Sequence, residues 1–365
     1  MKSLFKHKGS LPEEERKHSL QPEGARLRIA AALQADLASV TVERHDLSPS
    51  QWNLRCRGTW RGKRIFSKTY LRDPYPVYPR FTLPWGEPQS ACEHLHPAVS
   101  VMEKEWENTR EFRKFTTPAI PAPLGKSARG KTIVWEEAPG VRVDRFVRRI
   151  WLSGKCRDEA AAALLQAGAW LSTVHHTSQQ EEETIDLAQF VEALRRHGQQ
   201  ETVSSPAQTS RAFASIAESL RGVGPSVRAP VALGHGDFAL SNLLWDASRE
   251  HLQVIDFEHA GYRSILHDLG SMAYDLRICL LNPMIPSSVI RACEAAFWEA
   301  YGPLTPQIRA VVEAIVTFRI LDYYLPRVST RGERAGRWAG AMAALYQVFL
   351  QDRLVTRTLC AGWRA

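Results

Sequence analysis

At 365 residues, with 44% hydrophobic and 24% charged side chains, the chain is long enough for two packed lobes and apolar enough to fill their cores. No stretch comes near the roughly 18 uninterrupted apolar residues of a transmembrane helix, so no membrane span is expected. The net charge of +8 is spread along the whole length without a recognised nucleic-acid motif, so no nucleic-acid partner is expected; the plain reading is a basic proteome or a generally solvated surface, and a basic pocket for an anionic substrate is the sharper alternative to it. Six cysteines, at positions 56, 92, 156, 279, 293 and 360, show no paired spacing. They read as the reduced thiols of a cytoplasmic protein, and the first residues lack the apolar run of a secretion signal.

In chain order, residues 1–22 are polar and read as a flexible basic arm. Residues 24–38 carry Leu27, Ile29, Ala30, Leu33 and Leu37 at helical spacing. The period then changes, and 39–43, 52–60 and 64–70 read as antiparallel strands, with Arg61-Gly62-Lys63 as a tight turn between the last two. Lys68 sits among apolar and aromatic neighbours late in the third strand. Read alone, it is either a functional cation or an edge-strand lysine that guards against aggregation. Residues 72–98 are dense in proline and aromatics, cannot be regular helix, and read as an insertion packed on the first lobe or as a surface for a partner or a second subunit. Cys92, His94 and His96 alternate there but lack the fourth ligand and spacing of a zinc site.

Residues 99–115 form an amphipathic helix with Met102, Trp106 and Thr109 marking its inward stripe. Glu105 and Glu103 both lie near that stripe. Residues 125–132, Gly-Lys-Ser-Ala-Arg-Gly-Lys-Thr, match the phosphate-loop pattern letter for letter. A phosphate loop follows a strand and opens a helix. Here prolines precede it and β-branched and aromatic residues follow, so it reads as a hairpin turn with Lys131 in solvent. A strong helix is expected over 157–176, ending in His175-His176, with His175 a core histidine rather than a ligand. Residues 177–228 read as mostly helical, with Glu181 to Glu183 as a solvated helix start. After Asp268 the expectation is helix over 288–301, 305–323 and 335–356, with Tyr274, Asp275, Arg277, Tyr323, Tyr324 and Arg327 as candidate cleft residues.

The stretch that carries chemistry is 231–270. Two apolar runs, Val231 to Leu233 and Leu252 to Ile255, read as brief strands, and each delivers polar groups at its end. His235-Gly236-Asp237 comes first, then Asn242, then Asp256-Phe257-Glu258, and then Asp268. This layout suits phosphoryl transfer: one carboxylate takes the proton of an attacking hydroxyl, while an Asn and a second carboxylate hold magnesium against nucleotide phosphates. The alternative, ordinary Asp and Asn turns between buried strands, requires all of these polar positions to fall in this register by chance.

His-Gly-Asp-x-x-x-x-Asn-Leu-Leu, followed by Ile-Asp-Phe-Glu and Asp-Leu-Gly, resembles the aminoglycoside phosphotransferase and choline kinase family. The likeness spans roughly residues 40 to 350, with firm anchors at 235 to 270. It implies an α+β, two-lobed, protein-kinase-like fold, with a nucleotide-binding lobe over 23–138 and a helical catalytic lobe over 139–365. It implies ATP or GTP and Mg2+ as cofactors and a small-molecule hydroxyl as acceptor. By the same likeness Asp237 is the catalytic base, Asn242 and Asp256 are metal ligands, and His235 and Asp268 support the loop. Lys68 holds the nucleotide phosphates and Glu105 pairs with it, since family helices place the Glu just before the bulky apolar residue. Backbone groups of Glu136 and Ala138 bind the purine edge. Ser50 touches phosphate from a loop that lacks the protein-kinase glycines. Glu258 stands where protein kinases have Gly, which favours the small-molecule family. Two rival readings are a kinase acting on a lipid-linked or cell-envelope sugar, and a non-catalytic nucleotide-binding regulatory module.

Overall fold

The computed structural model describes residues 21–47, 52–73, 75–76, 95–116, 119–149, 154–192, 217–218, 220–280 and 286–320. The expectations for the amino-terminal arm, Ser50, Cys92, His94, Tyr323, Tyr324, Arg327 and the helix over 335–356 lie outside these residues. So does most of the 72–98 insertion with the dimer surface it was read to carry. Among the described residues, no helix is long and apolar enough to cross a membrane. The described residues divide into two compact units, one formed by those up to Gly140 together with Leu244–Gly261, the other by those in Val141–Leu243 and from Tyr262 onward.

In the first unit, α1 (Pro22–Leu33) starts on a proline, whose missing N–H costs nothing in a first helical turn. It ends at Gln34, in the left-handed region at φ 50°. The strands β1 (Val40–Leu47), β2 (Asn53–Trp60) and β3 (Lys63–Tyr70) form an antiparallel meander. Arg61 and Gly62 both have positive φ, 49° and 76°, the two-residue turn whose twist matches that of the flanking strands. After the short β4 (Tyr75–Pro76) and β5 (Leu95–His96), which pair with each other, comes α2 (Ala98–Phe115). The strands β6 (Pro123–Ser127) and β7 (Thr132–Glu136) form the hairpin read from the sequence and complete a sheet of order β1-β2-β3-β7-β6.

Period-two alternation gives the sheet two buried faces. Ile65 and Val134 join Leu54 and Cys56 against α1 residues Ala25, Ile29 and Ala32. Tyr70, Ile133 and Trp135 face Val101 and Met102 of α2, with Phe66 packed alongside. Lys68 lies between Phe66 and Tyr70 in the strand and therefore shares the α2 face. Two readings of this unit are refined. Lys131 keeps contact with solvent, as expected, but is not unpaired there: its ammonium is 2.7 Å from the exposed Asp73 carboxylate. In α2 it is Glu105 that is fully buried in line with Met102 and Thr109, while Trp106 is only half-buried.

The second unit begins with β8 (Val141–Arg142), α3 (Val143–Arg149) and the long α4 (Gly154–Ser178). The Glu181 to Glu183 segment is not a helix start. It opens β9 (Glu182–Asp186), antiparallel to β10 (Ser226–Gly234), with Ile185 opposite Val227. On this outer strand of a three-stranded sheet, acidic residues face solvent and only Ile185 needs burial. Next in the chain comes the hairpin β11 (Leu243–Asp246) and β12 (His251–Val254), which from Leu244 on belongs to the first unit, and then β13 (Gly261–Ser264), which pairs with β10. Three helices follow: α5 (Leu266–Leu280), α6 (Ser287–Tyr301) and α7 (Pro306–Arg319). The side chain of Thr305 caps α7 by accepting the N–H of Ile308. Arg277 of α5 bridges Glu294 of α6 at 2.7 Å and Glu313 of α7 at 2.9 Å. This ties the three helices together, and Arg277 is a structural residue rather than a cleft residue.

The phosphate-loop match has a packing explanation. A Cβ on Gly125 would lie 2.2 Å from the carbonyl oxygen of Ala32, so glycine there lets β6 approach α1. Gly125→Ala is expected to destabilise the fold by about 2 kcal/mol or more, read as a lower urea midpoint.

Candidate active site

The first unit gathers its charges around one ammonium. Lys68 Nζ is 3.0 Å from Glu105, 2.8 Å from Asp256 and 2.8 Å from Glu258. Three elements converge there: β3 brings the lysine, α2 brings Glu105, and the turn after β12 brings the other two acids. Asp256 takes φ 73°, a left-handed conformation that Asp adopts more readily than most residues. Glu103, the alternative to Glu105, pairs instead with Lys126. Helix α2 also holds the acidic turn directly. The Asn108 amide donates to the carbonyls of Phe257 at 3.0 Å and Ala260 at 3.1 Å, and the rings of Phe112 and Phe257 lie 4.8 Å apart.

Burial works against charge on Lys68, but the fields of Asp256, Glu105 and Glu258 outweigh it and raise its pKa well above the ordinary lysine value. Burial dominates at Glu105, pushing its carboxyl up to about 8 despite the pull of Lys68. Glu258 moves the other way: Lys68 and His259 overcome burial and hold its carboxyl far below the usual range. Carboxylate oxygens of Glu105, Asp256 and Glu258 lie within 4.8 Å of one another.

The second unit holds the other half of the predicted set. Asp268, at the start of α5, accepts the backbone N–H of His235 at 2.6 Å and that of Gly236 at 2.8 Å. The His235 ring accepts the N–H of Asp237 at 3.3 Å. Asn242 donates its amide to the Asp237 carbonyl at 2.9 Å and to its carboxylate at 3.0 Å. Gly236 sits at φ 79°, so the loop reverses where a side chain would be strained. Behind Asp268 stands His175, with Nε2 3.4 Å from the carboxylate and Nδ1 3.0 Å from the Tyr301 hydroxyl. His175 is thus a buried core histidine with partners on both nitrogens. Asp275 accepts the N–H of Leu240 at 3.1 Å, so this cleft candidate also braces the loop.

Glu136 closes β7. Its N–H donates to Ala122 at 2.9 Å and its carboxylate takes Lys63 at 3.2 Å. Ala138 lies two residues beyond, in the connecting segment.

Some contacts at Lys68 go beyond the sequence reading. The family resemblance gives Glu258 only as the residue in place of a kinase glycine, yet it touches the ammonium. Tyr70 donates its hydroxyl to Glu105, and Tyr75, from the neck of the insertion, reaches Glu258 at 3.4 Å. The available signals were positional: Tyr70 is two residues after Lys68 on one strand face, and Asn108 is three after Glu105 on one helix face.

The profile described as the phosphotransferase enzyme family matches residues 98–311. Among solved structures, the chain is similar to a choline/ethanolamine kinase family protein from Mesorhizobium loti, at 16% identity over 93% of this chain and 98% of that one, with a TM-score of 0.51. It is also similar to a microcompartment-associated aminopropanol kinase, at 14% identity over 92% of this chain and 97% of that one, TM-score 0.52. A third is a glucosamine kinase in complex with glucosamine, ADP and inorganic phosphate, at 16% identity over 92% of this chain and 86% of that one, TM-score 0.50. No curated protein matches significantly. These likenesses show the kinase-like fold.

Asp268 makes a pH prediction. Burial opposes its charge, but the hydrogen bond from His175 and the fields of His175, His235 and Arg263 lower its pKa from 3.8 to about 2. Its stabilising contribution, roughly 2 kcal/mol, is present above pH 4 and lost as pH falls toward 2. Chemical denaturation across that range is expected to show this slope in the parent and a flattened one in Asp268→Asn.

Proposed function

The chain belongs to the phosphotransferase enzyme family, and we propose that it moves the γ-phosphoryl group of ATP, or of GTP, to a hydroxyl of a small molecule. The observation that carries this reading is the buried Lys68 held at 3.0 Å by Glu105 and at 2.8 Å by Asp256. A lysine fixed by a helix glutamate beside a metal-binding aspartate is what nucleotide phosphates require. Lys68 supplies a point charge to the phosphates and Glu105 positions it. Backbone groups at Glu136 and Ala138 hold the purine edge, with the Glu136 N–H already committed to Ala122. Ser50 supplies a further phosphate contact.

Asp237 takes the proton of the attacking hydroxyl. Its carboxylate is aimed by the Asn242 amide and its backbone is held by His235. Asp256 and Asn242 are the residues that would hold magnesium. The donors fit the ion: three clustered carboxylates against one ammonium leave a surplus of negative charge made of hard oxygen ligands. Magnesium, when bound, neutralises charge on the nucleotide phosphates.

The kinases of similar fold are named for choline or ethanolamine, aminopropanol and glucosamine, which sets where an acceptor panel begins. ADP release from purified protein across amino alcohols, amino sugars, sugars and nucleosides is expected to identify an acceptor. With that acceptor, Asp237→Ala is expected to lose about 10²-fold or more in kcat while retaining nucleotide affinity. A parental rate in that variant would refute the assignment of the base.

A further inference from the structure

Lys68 is surrounded by more than carboxylates. The Tyr70 ring lies beneath its ammonium, with Nζ 5.2 Å from the ring centroid. The Tyr70 hydroxyl donates to Oε2 of Glu105, the same oxygen that Lys68 contacts. The Tyr75 hydroxyl repeats the pattern on the opposite acid. It accepts from the Asn53 amide at 2.8 Å and donates at 3.4 Å to Oε2 of Glu258, again the oxygen that Lys68 contacts. The two rings meet edge to face with centroids 5.1 Å apart, and Trp52 packs edge-on against Tyr75 at 6.1 Å. Both tyrosines are 1% exposed.

We propose that Tyr70 and Tyr75 are paired positioning residues that hold Glu105 and Glu258 on either side of Lys68, and that the neck of the 72–98 insertion is thereby part of the nucleotide site. The argument rests on the reading of Lys68 as the nucleotide lysine. Three carboxylates around one ammonium repel one another, and each gains by swinging toward water. A hydroxyl donor on each of two acids removes that freedom, because the carboxylate must satisfy the tyrosine and the lysine from one oxygen. The rings lock the hydroxyls in place through their own packing. Tyr75 makes its contact from outside the strand and helix that carry Lys68 and Glu105. The pairing of β4 with β5 at Tyr75↔His96 and Pro76↔Leu95 holds it there.

The test uses the full chain and calorimetric titration with ADP in the presence of magnesium. Tyr70→Phe is expected to weaken binding about tenfold, and Tyr75→Phe, whose bond is longer, about threefold. The KM for ATP is expected to rise in step while kcat stays within about twofold. The decisive arm repeats both substitutions in a Lys68→Ala background, where neither is expected to change affinity by more than about twofold, because the hydroxyls act through the lysine. Parental affinity in both single variants overturns the proposal, as does an undiminished loss when Lys68 is absent. Should Tyr75→Phe melt early, Asn53→Ala leaves both rings in place and removes the donor to the hydroxyl. A loss of about threefold there supports the proposal, and parental affinity overturns it. A parent chain that fails to bind ADP with magnesium overturns the nucleotide reading itself, and this inference with it.

Discussion

Burying the Lys68 ammonium among Glu105, Asp256 and Glu258 sets the terms for the rest of the first unit. A lone buried cation costs several kcal/mol, and so does each unpaired carboxylate. The cluster is tolerable only if β3, α2 and the turn after β12 are in register together. A one-residue slip of β3 would send Lys68 to the α1 face, where Ile29, Leu54 and Ile65 pack. The left-handed backbone at Asp256 and the Asn108 clamp on Phe257 and Ala260 are further parts of the same solution.

The second unit solves a related problem with the sign reversed. One of its buried charges is the Asp268 carboxylate, which accepts two backbone N–H groups. Two consecutive amides, of His235 and Gly236, point at one carboxylate, which fixes the peptide planes just before Asp237. The order then passes outward through Asp237 to Asn242 and backward through His175 to Tyr301. The charge beneath the loop and the loop's own His235 and Asn242 side chains together set its shape.

Much of this was legible in the sequence. Gly62 after Arg61 marked a tight turn between alternating strands, and that turn exists. The spacing from Asp237 through Asn242 to Asp256 pointed to phosphoryl transfer, and the family match supports that chemistry. The prolines before Gly125 correctly argued for a hairpin over a phosphate loop. What was not legible depended on partners distant in sequence. Nothing near Lys131 announces Asp73, and nothing in three consecutive glutamates announces that Ile185 will pair across to Val227. Glu105 could be preferred over Glu103 only by analogy, whereas in three dimensions the choice is made by Lys126, which occupies Glu103. Tyr75 was hidden most thoroughly, inside a proline-rich stretch whose composition suggests an appendage.

The small ladder between Tyr75–Pro76 and Leu95–His96, together with the Asp73 carboxylate that meets both Lys131 and the first N–H of α2, closes the chain on itself at the base of the insertion. The start of the helix that bears Glu105 is thus pinned from outside the helix, by a carboxylate on its first amide and by the two-residue ladder just before it.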